Sequence, residues 1–121
     1  MTRIVVLEVG RPIVEDVKSQ IGEPTAVISY QRPIAEDEIP KIAGEVYRAV
    51  AKAALGGHEV HLVLSGPVAL AFQIGQLIGL SHFNVVVYQF SGGKYRPIPP
   101  VTREMMFSRS EETSESPPQR G

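Results

Sequence analysis

The sequence predicts an α/β fold, a Rossmann-like three-layer domain whose mainly parallel sheet runs in the order 2-1-3-4 plus a short C-terminal strand. Three observations carry this. Short apolar runs rich in β-branched residues recur along the chain, as strands buried on both faces require. Stretches with apolar residues at helical spacing lie between them. Gly- or Pro-bearing breaks separate the two kinds of segment. Strand-helix-strand alternation of this kind implies parallel pairing through right-handed crossovers. A doubly wound chain starts centrally, moves outward and returns past its first strand, which gives the order stated.

Residues 3–9, RIVVLEV, form the first strand, and Gly10-Arg11-Pro12 breaks it. Ile13, Val14, Val17 and Ile21 then fall on one helical face, with Pro12 in the first turn and Gly22 at the C-terminal cap. Residues 25–30, TAVISY, make a second short strand. The segment 36–55 is a long amphipathic helix: Ile39, Ile42, Val46 and Val50 line one face, and Lys41, Glu45, Arg48 and Lys52 the other. Asp37 and Glu38 suit its positive end, Pro40 is tolerated in the first turn, and Gly56-Gly57 ends it. Residues 60–64, VHLVL, are the third strand. The helix at 68–79 is apolar nearly all round and is expected to be covered on more than one side. Residues 83–90, FNVVVYQF, form the fourth strand, and residues 94–98 a short fifth one after the Gly92-Gly93 turn. From Ser108 onward, SRSEETSESPPQRG has no core-forming residue and reads as a disordered tail, which leaves one domain over residues 1–107.

With 121 residues, the chain suits a single core. A net charge of −1 supplies no long-range pull toward a nucleic-acid backbone, so DNA is not an expected partner. The absence of cysteine removes disulfides and thiolate metal sites and fits a cytoplasmic setting. The opening MTRIVVLEVGRP is too short in its apolar run for a signal peptide. The long apolar stretch at residues 62–80 carries Ser65, Pro67, Gln73 and Gln76, and a buried strand plus helix explains it better than a membrane span.

In the order 2-1-3-4 a ligand crevice lies between the first and third strands, at their carboxyl ends. Two turns border it, Gly10-Arg11-Pro12 and Ser65-Gly66-Pro67, and both lead into helix N-termini whose free N–H groups favour phosphate. Gly66 permits close backbone approach, Pro67 sets the first helical turn, and Ser65 offers a hydroxyl. Such turns need small residues and proline even when they bind nothing, so spacing alone leaves a phosphate site and an empty turn equally open. No dinucleotide fingerprint or lysine-bearing P-loop is present, and no cofactor is implied. His58 follows a glycine turn and is expected to be exposed. His61 shares a strand face with Glu59 and Val63 and is expected to pack or hydrogen-bond there. His82 sits in a loop where it can meet a ligand or a partner. None has the ligand spacing of a metal site, and no nucleophile elbow surrounds Ser65. Lys94, Tyr95 and Arg96 combine an exposed aromatic with two cations, suited to a base and a phosphate, although an edge hairpin has the same composition.

The string HLVLSGPVALAFQIGQLIG, followed by NVVVYQF and KYRP, resembles the C-terminal half of the SAVED domain, a relative of the CRISPR-associated Rossmann-fold (CARF) sensors. The matching positions are Leu62 to Ser65, Gly66-Pro67, Gly75, Tyr88 with Phe90, and Tyr95 with Pro97. The similarity covers about residues 58–101, and the first half matches only in its βαβα layout. The resemblance implies a protein that binds a cyclic oligoadenylate made in type III CRISPR antiviral defence, chiefly cyclic tetra-adenylate, and limits the signal by sequestration or by slow ring cleavage. Ring nucleases of this kind need no metal, because they set a ribose 2′-hydroxyl in line with its phosphate. Arg11, Ser65, Lys94 and Arg96 are then the candidates for holding phosphate. No catalytic base is evident in the sequence, so enzymatic turnover stays open. A two-fold symmetric ring implies a homodimer, with the apolar helix at 68–79 supplying the contact. The alternative is a nonenzymatic regulatory or scaffold subunit that docks on a protein partner through that helix. Gly66→Val is expected to fill the crevice while leaving the fold intact.

Overall fold

A computed structural model describes residues 2–107. The run RIVVLEV becomes β1 (Arg3–Val9), with its five central residues buried. β2 (Ala26–Tyr30) pairs with it in parallel on one side, and β3 (Val60–Ser65) on the other. β4 (Val85–Ser91) adds in parallel to β3. The chain then reverses through Gly92 and Gly93, both at positive φ, and β5 (Lys94–Pro97) returns antiparallel. The sheet order is β2-β1-β3-β4-β5, the expected order with the short last strand on the β4 edge.

Side chains of a strand alternate between faces, so β1 feeds two cores. On one face Val5 and Leu7 join Leu62, the inner residues Ile42, Val46 and Val50 of α2 (Ile39–Ala53), and Leu70 and Ile74 of α3 (Val68–Gly79). On the other face Ile4, Val6 and Val63 pack against Ile13 and against Val17 of α1 (Val14–Gln20). Each fully buried Val, Leu or Ile contributes about 1.5–3 kcal/mol, which is why β1, buried on both sides, anchors the domain.

Several boundaries differ from the sequence reading. The segment read as one helix divides into a 3₁₀ turn at Glu36–Glu38 and then α2, which carries Pro40 in its first turn. The fourth strand starts at Val85, and Phe83 instead packs its ring 5.8 Å from that of Tyr47. His58 is half-buried rather than exposed. A larger difference concerns α3, which was expected to be covered on several sides. Only Leu70 and Ile74 are buried, while Val68 is 85% and Phe72 67% exposed. The sheet and α2 cover one side of α3, and its outer side has no neighbour within the described residues. The tail expected from Ser108 lies outside the described residues. No helix among the described residues is long and apolar enough to cross a membrane.

Candidate functional site

The carboxyl ends of β1, β2 and β3 open on a cleft of about 570 Å³ lined by Val9, Gly10, Gln31, Arg32, Pro33, Ile34, Gly66 and Pro67. Three connections build it: the turn after β1, the loop after β2 and the turn after β3. This is the switch point of the sheet, where β1 and β3 send their chains to opposite faces.

Gly10 ends β1 at φ +82, a left-handed conformation costly for any residue with a Cβ, and its N–H donates to the Tyr30 carbonyl at 2.7 Å. That bond ties the first turn to the end of β2. The N–H groups that open α1 are not free, contrary to the sequence expectation. Glu8, only 5% exposed, turns its Oε1 to the N–H of Ile13 at 2.7 Å and of Val14 at 3.2 Å. Its Oε2 accepts from the Ser29 hydroxyl at 2.7 Å and from Gln31 Nε2 at 3.0 Å. Burial alone raises the pKa of a carboxyl. Here the hydrogen bonds from Ile13, Ser29, Val14 and Gln31 outweigh it and hold Glu8 below the usual carboxylate range. The chain has placed its own anion where a phosphate was expected.

The turn after β3 is different. Pro67 is the N-cap of α3, and no side chain caps this helix. The first internal bonds are from the N–H groups of Leu70 and Ala71 to the Pro67 carbonyl, which leaves those of Val68 and Ala69 without a helical partner, directly after the cleft residues Gly66 and Pro67. Gly66 allows the turn to sit against β1: a Cβ here would lie 3.3 Å from Val9 Cβ and Cγ2. The expectation for Gly66→Val is therefore corrected. The added side chain presses on Val9, so the substitution strains the end of β1 as well as the cleft.

Arg32 is the cation of the cleft, and the sequence reading did not single it out. Its guanidinium lies 5.5 Å from the centre of the Tyr30 ring and grips Glu38 with two bonds, Nη1 to Oε1 at 3.0 Å and Nη2 to Oε2 at 2.8 Å. Glu38 also accepts the N–H of Ala35 at 2.7 Å. The Arg32 guanidinium and that backbone bond lower the Glu38 pKa to about 2. Tyr30 in turn donates its hydroxyl to Glu45 of α2. The sequence does carry a signal for this loop, because Gln31-Arg32-Pro33 follows directly on a strand beside the switch point.

Of the residues expected at the site, Gly10, Gly66 and Pro67 line the cleft. Ser65 ends β3 opposite Glu8 in register and falls on the α1 side of the sheet with His61 and Val63. Arg11 lies elsewhere, its guanidinium 5.4 Å from the centre of the Phe90 ring. Lys94, Tyr95 and Arg96 form β5, and here the expectation of an exposed aromatic is corrected. Tyr95 is half-buried, its ring 4.9 Å from that of Phe90 and packed on the core under α1. Burial raises its pKa, with Arg11 opposing. Its N–H donates to Gln20 Oε1 at 2.9 Å, and Gln20 Nε2 donates to the Gly93 carbonyl at 3.2 Å, fastening the hairpin to α1. Strand alternation sends Lys94 and Arg96 to the face opposite Tyr95. His61 bonds as expected, with Nδ1 2.8 Å from the Tyr88 hydroxyl and Nε2 3.0 Å from Glu59 Oε1.

The SAVED family model, described as the SMODS-associated and fused to various effectors sensor domain, matches residues 2–99. The similarity thus extends through the first half of the chain, well beyond residues 58–101. Among solved structures the fold is similar to the Cap4 SAVED/CARF-domain containing receptor of Acinetobacter baumannii with the cyclic trinucleotide 2′3′3′-cAAA. That match has a TM-score of 0.66 at 20% identity and covers 80% of this chain and 24% of that one. A second structure of the receptor gives 0.64 at 16% identity, covering 80% and 22%. A third, with 3′3′3′-cAAA, gives 0.61 at 19% identity, covering 79% and 23%. The chain spans about a quarter of the length of these receptors. No curated protein matches.

Proposed function

The chain belongs to the SAVED family of sensor domains, and on that premise we propose that its cleft holds one nucleotide of a cyclic oligonucleotide. The observation that carries this reading is the pairing of an uncapped helix N-terminus at Pro67 with Arg32 across one open cleft of about 570 Å³. That size falls within the roughly 300–1,000 Å³ range of small-molecule sites. A phosphodiester seated on the N–H groups of Val68 and Ala69 receives the positive end of α3, and Arg32, whose charge is shared with Glu38, offers the N–H donors that Glu38 does not take. Cap4, a receptor of similar fold, carries cyclic tri-adenylates in its solved complexes. For this chain we propose a cyclic oligoadenylate, cyclic tetra-adenylate first, as the cytoplasmic signal of type III CRISPR defence. The cleft's polar side chains are an amide and a guanidinium, neither of which takes up a proton at neutral pH. Sequestration is therefore favoured over ring cleavage as the way the signal is limited.

The exposed Val68 and Phe72 favour a second element of the reading, a homodimer through the outer side of α3 that faces two clefts to opposite sides of one ring. The test combines thermal unfolding, titration calorimetry and chromatography with cyclic tri-, tetra- and hexa-adenylate. Cyclic tetra-adenylate at a hundredfold excess over Kd should add about 2.7 kcal/mol of stability. The ring should elute uncut, with one ring per two chains. No stabilisation by any ring at millimolar concentration overturns the ligand class. A strictly monomeric complex by light scattering overturns the dimer alone.

A further inference from the structure

We propose that Gln31 reads the exocyclic amino group of the base seated in the cleft, and that the buried Glu8 is the positioning residue that makes it an acceptor. The inference rests on the cyclic-oligonucleotide reading and specifies which base that site selects. Gln31 is exposed and lines the cleft immediately after β2. An amide side chain ordinarily turns either its oxygen or its nitrogen to a ligand, and so accepts or donates as required. Here one choice has been removed. The Gln31 nitrogen lies 3.0 Å from Glu8 Oε2 and 2.6 Å from Ser29 Oγ, whose own proton goes to the same carboxylate oxygen at 2.7 Å. An ionised carboxylate can only accept, so only the nitrogen end of the amide can face it. Glu8 cannot rotate to release the amide, because its other oxygen is held by the N–H groups of Ile13 and Val14. The amide oxygen is what Gln31 then offers to the cleft. A base with an amino group at the facing edge donates a hydrogen bond to that oxygen: adenine does so through N6, and guanine only where it turns its 2-amino group there. A base with a carbonyl there sets acceptor against acceptor.

The experiment measures affinity for 3′3′3′-cAAA and for the same ring carrying inosine, which replaces each amino group by a carbonyl oxygen. The wild-type chain should prefer the adenine ring by about tenfold or more, the cost of one group left unpaired once the base covers it. Gln31→Leu should keep the fold and bring the two affinities within about twofold of each other, through weaker binding of the adenine ring. Glu8→Gln, checked for folding by circular dichroism, should also narrow the preference, because an amide partner lets Gln31 turn over. Equal binding of the two rings by the wild-type chain, or an unchanged preference in Gln31→Leu, overturns the assignment and leaves the ligand class standing. Where cyclic tetra-adenylate is the ring that binds, the same comparison is made with its inosine counterpart, and binding of no adenylate ring overturns both.

Discussion

Two strand-to-helix turns border the cleft, one after β1 and one after β3, and each combines a glycine with a proline before an apolar segment. In the first, Glu8 occupies the N-terminus of α1, and Gly10 reaches across to the Tyr30 carbonyl. In the second, α3 starts at Pro67 with no side-chain cap, and Gly66 packs directly on Val9. The same local chemistry is thus closed on one side of the switch point and open on the other. A helix N-terminus attracts anions wherever it occurs, and whether it binds one from outside depends on whether the chain has already supplied its own.

The strongest way to break this comparison is to empty the closed turn. Glu8→Ala leaves two backbone N–H groups, a hydroxyl and an amide without their buried partner. It should lower unfolding stability by about 3 kcal/mol in urea titration at neutral pH. Because the folded Glu8 has a pKa below that of the unfolded chain, its contribution is present above pH of about 4.3 and is lost as pH falls through the folded value. The variant should therefore show a flatter acid limb than the wild type. A loss under about 1 kcal/mol would mean that water replaces the carboxylate and that the first turn is open after all.

Gly10→Ala tests the backbone of the same turn. At φ +82, with nothing within 4 Å of an added Cβ, the cost is conformational rather than steric, about 1–2 kcal/mol in the same titration. An unchanged stability would show that the turn relaxes to an ordinary φ and that its link to β2 is dispensable.

The smallest stability change, and the most informative for binding, comes from making the second turn resemble the first. Pro67→Asp keeps an extended N-cap conformation and places a carboxylate at the start of α3. It should raise stability by about 0.5–1 kcal/mol while weakening the binding of a cyclic oligoadenylate at least tenfold, measured by calorimetry. Retained affinity in the stabilised protein would move the phosphate away from α3.

The fold was legible because its signals are local and repeated. Buried β-branched runs, helical spacing and glycine punctuation mark the elements, and the regularities of doubly wound sheets turn their succession into the order β2-β1-β3-β4-β5. Gly10, Gly66 and Pro67 could be placed at the cleft for the same reason, since a turn after a strand near the switch point has nowhere else to lie. Glu8 is visible as the one acidic residue in RIVVLEV, yet its partners Ile13, Ser29 and Gln31 come from separate segments that only packing brings within hydrogen-bond reach. Arg32 lies in the loop after β2, whose place beside the switch point is legible, but nothing local sets Arg32 itself apart from any other surface cation. Arg11, Lys94 and Tyr95 carry charges and aromatics that suit a ligand, and strand register and side-chain alternation send them toward Phe90 and the β5 edge instead. Residue type and spacing therefore decided which elements form and where the chain turns, because those depend on interactions among near neighbours. Which turn stays open, and which side chains face the cleft, was decided by contacts between segments far apart in the chain, because hydrogen bonds and ion pairs form only between groups the fold has already brought within about 3 Å.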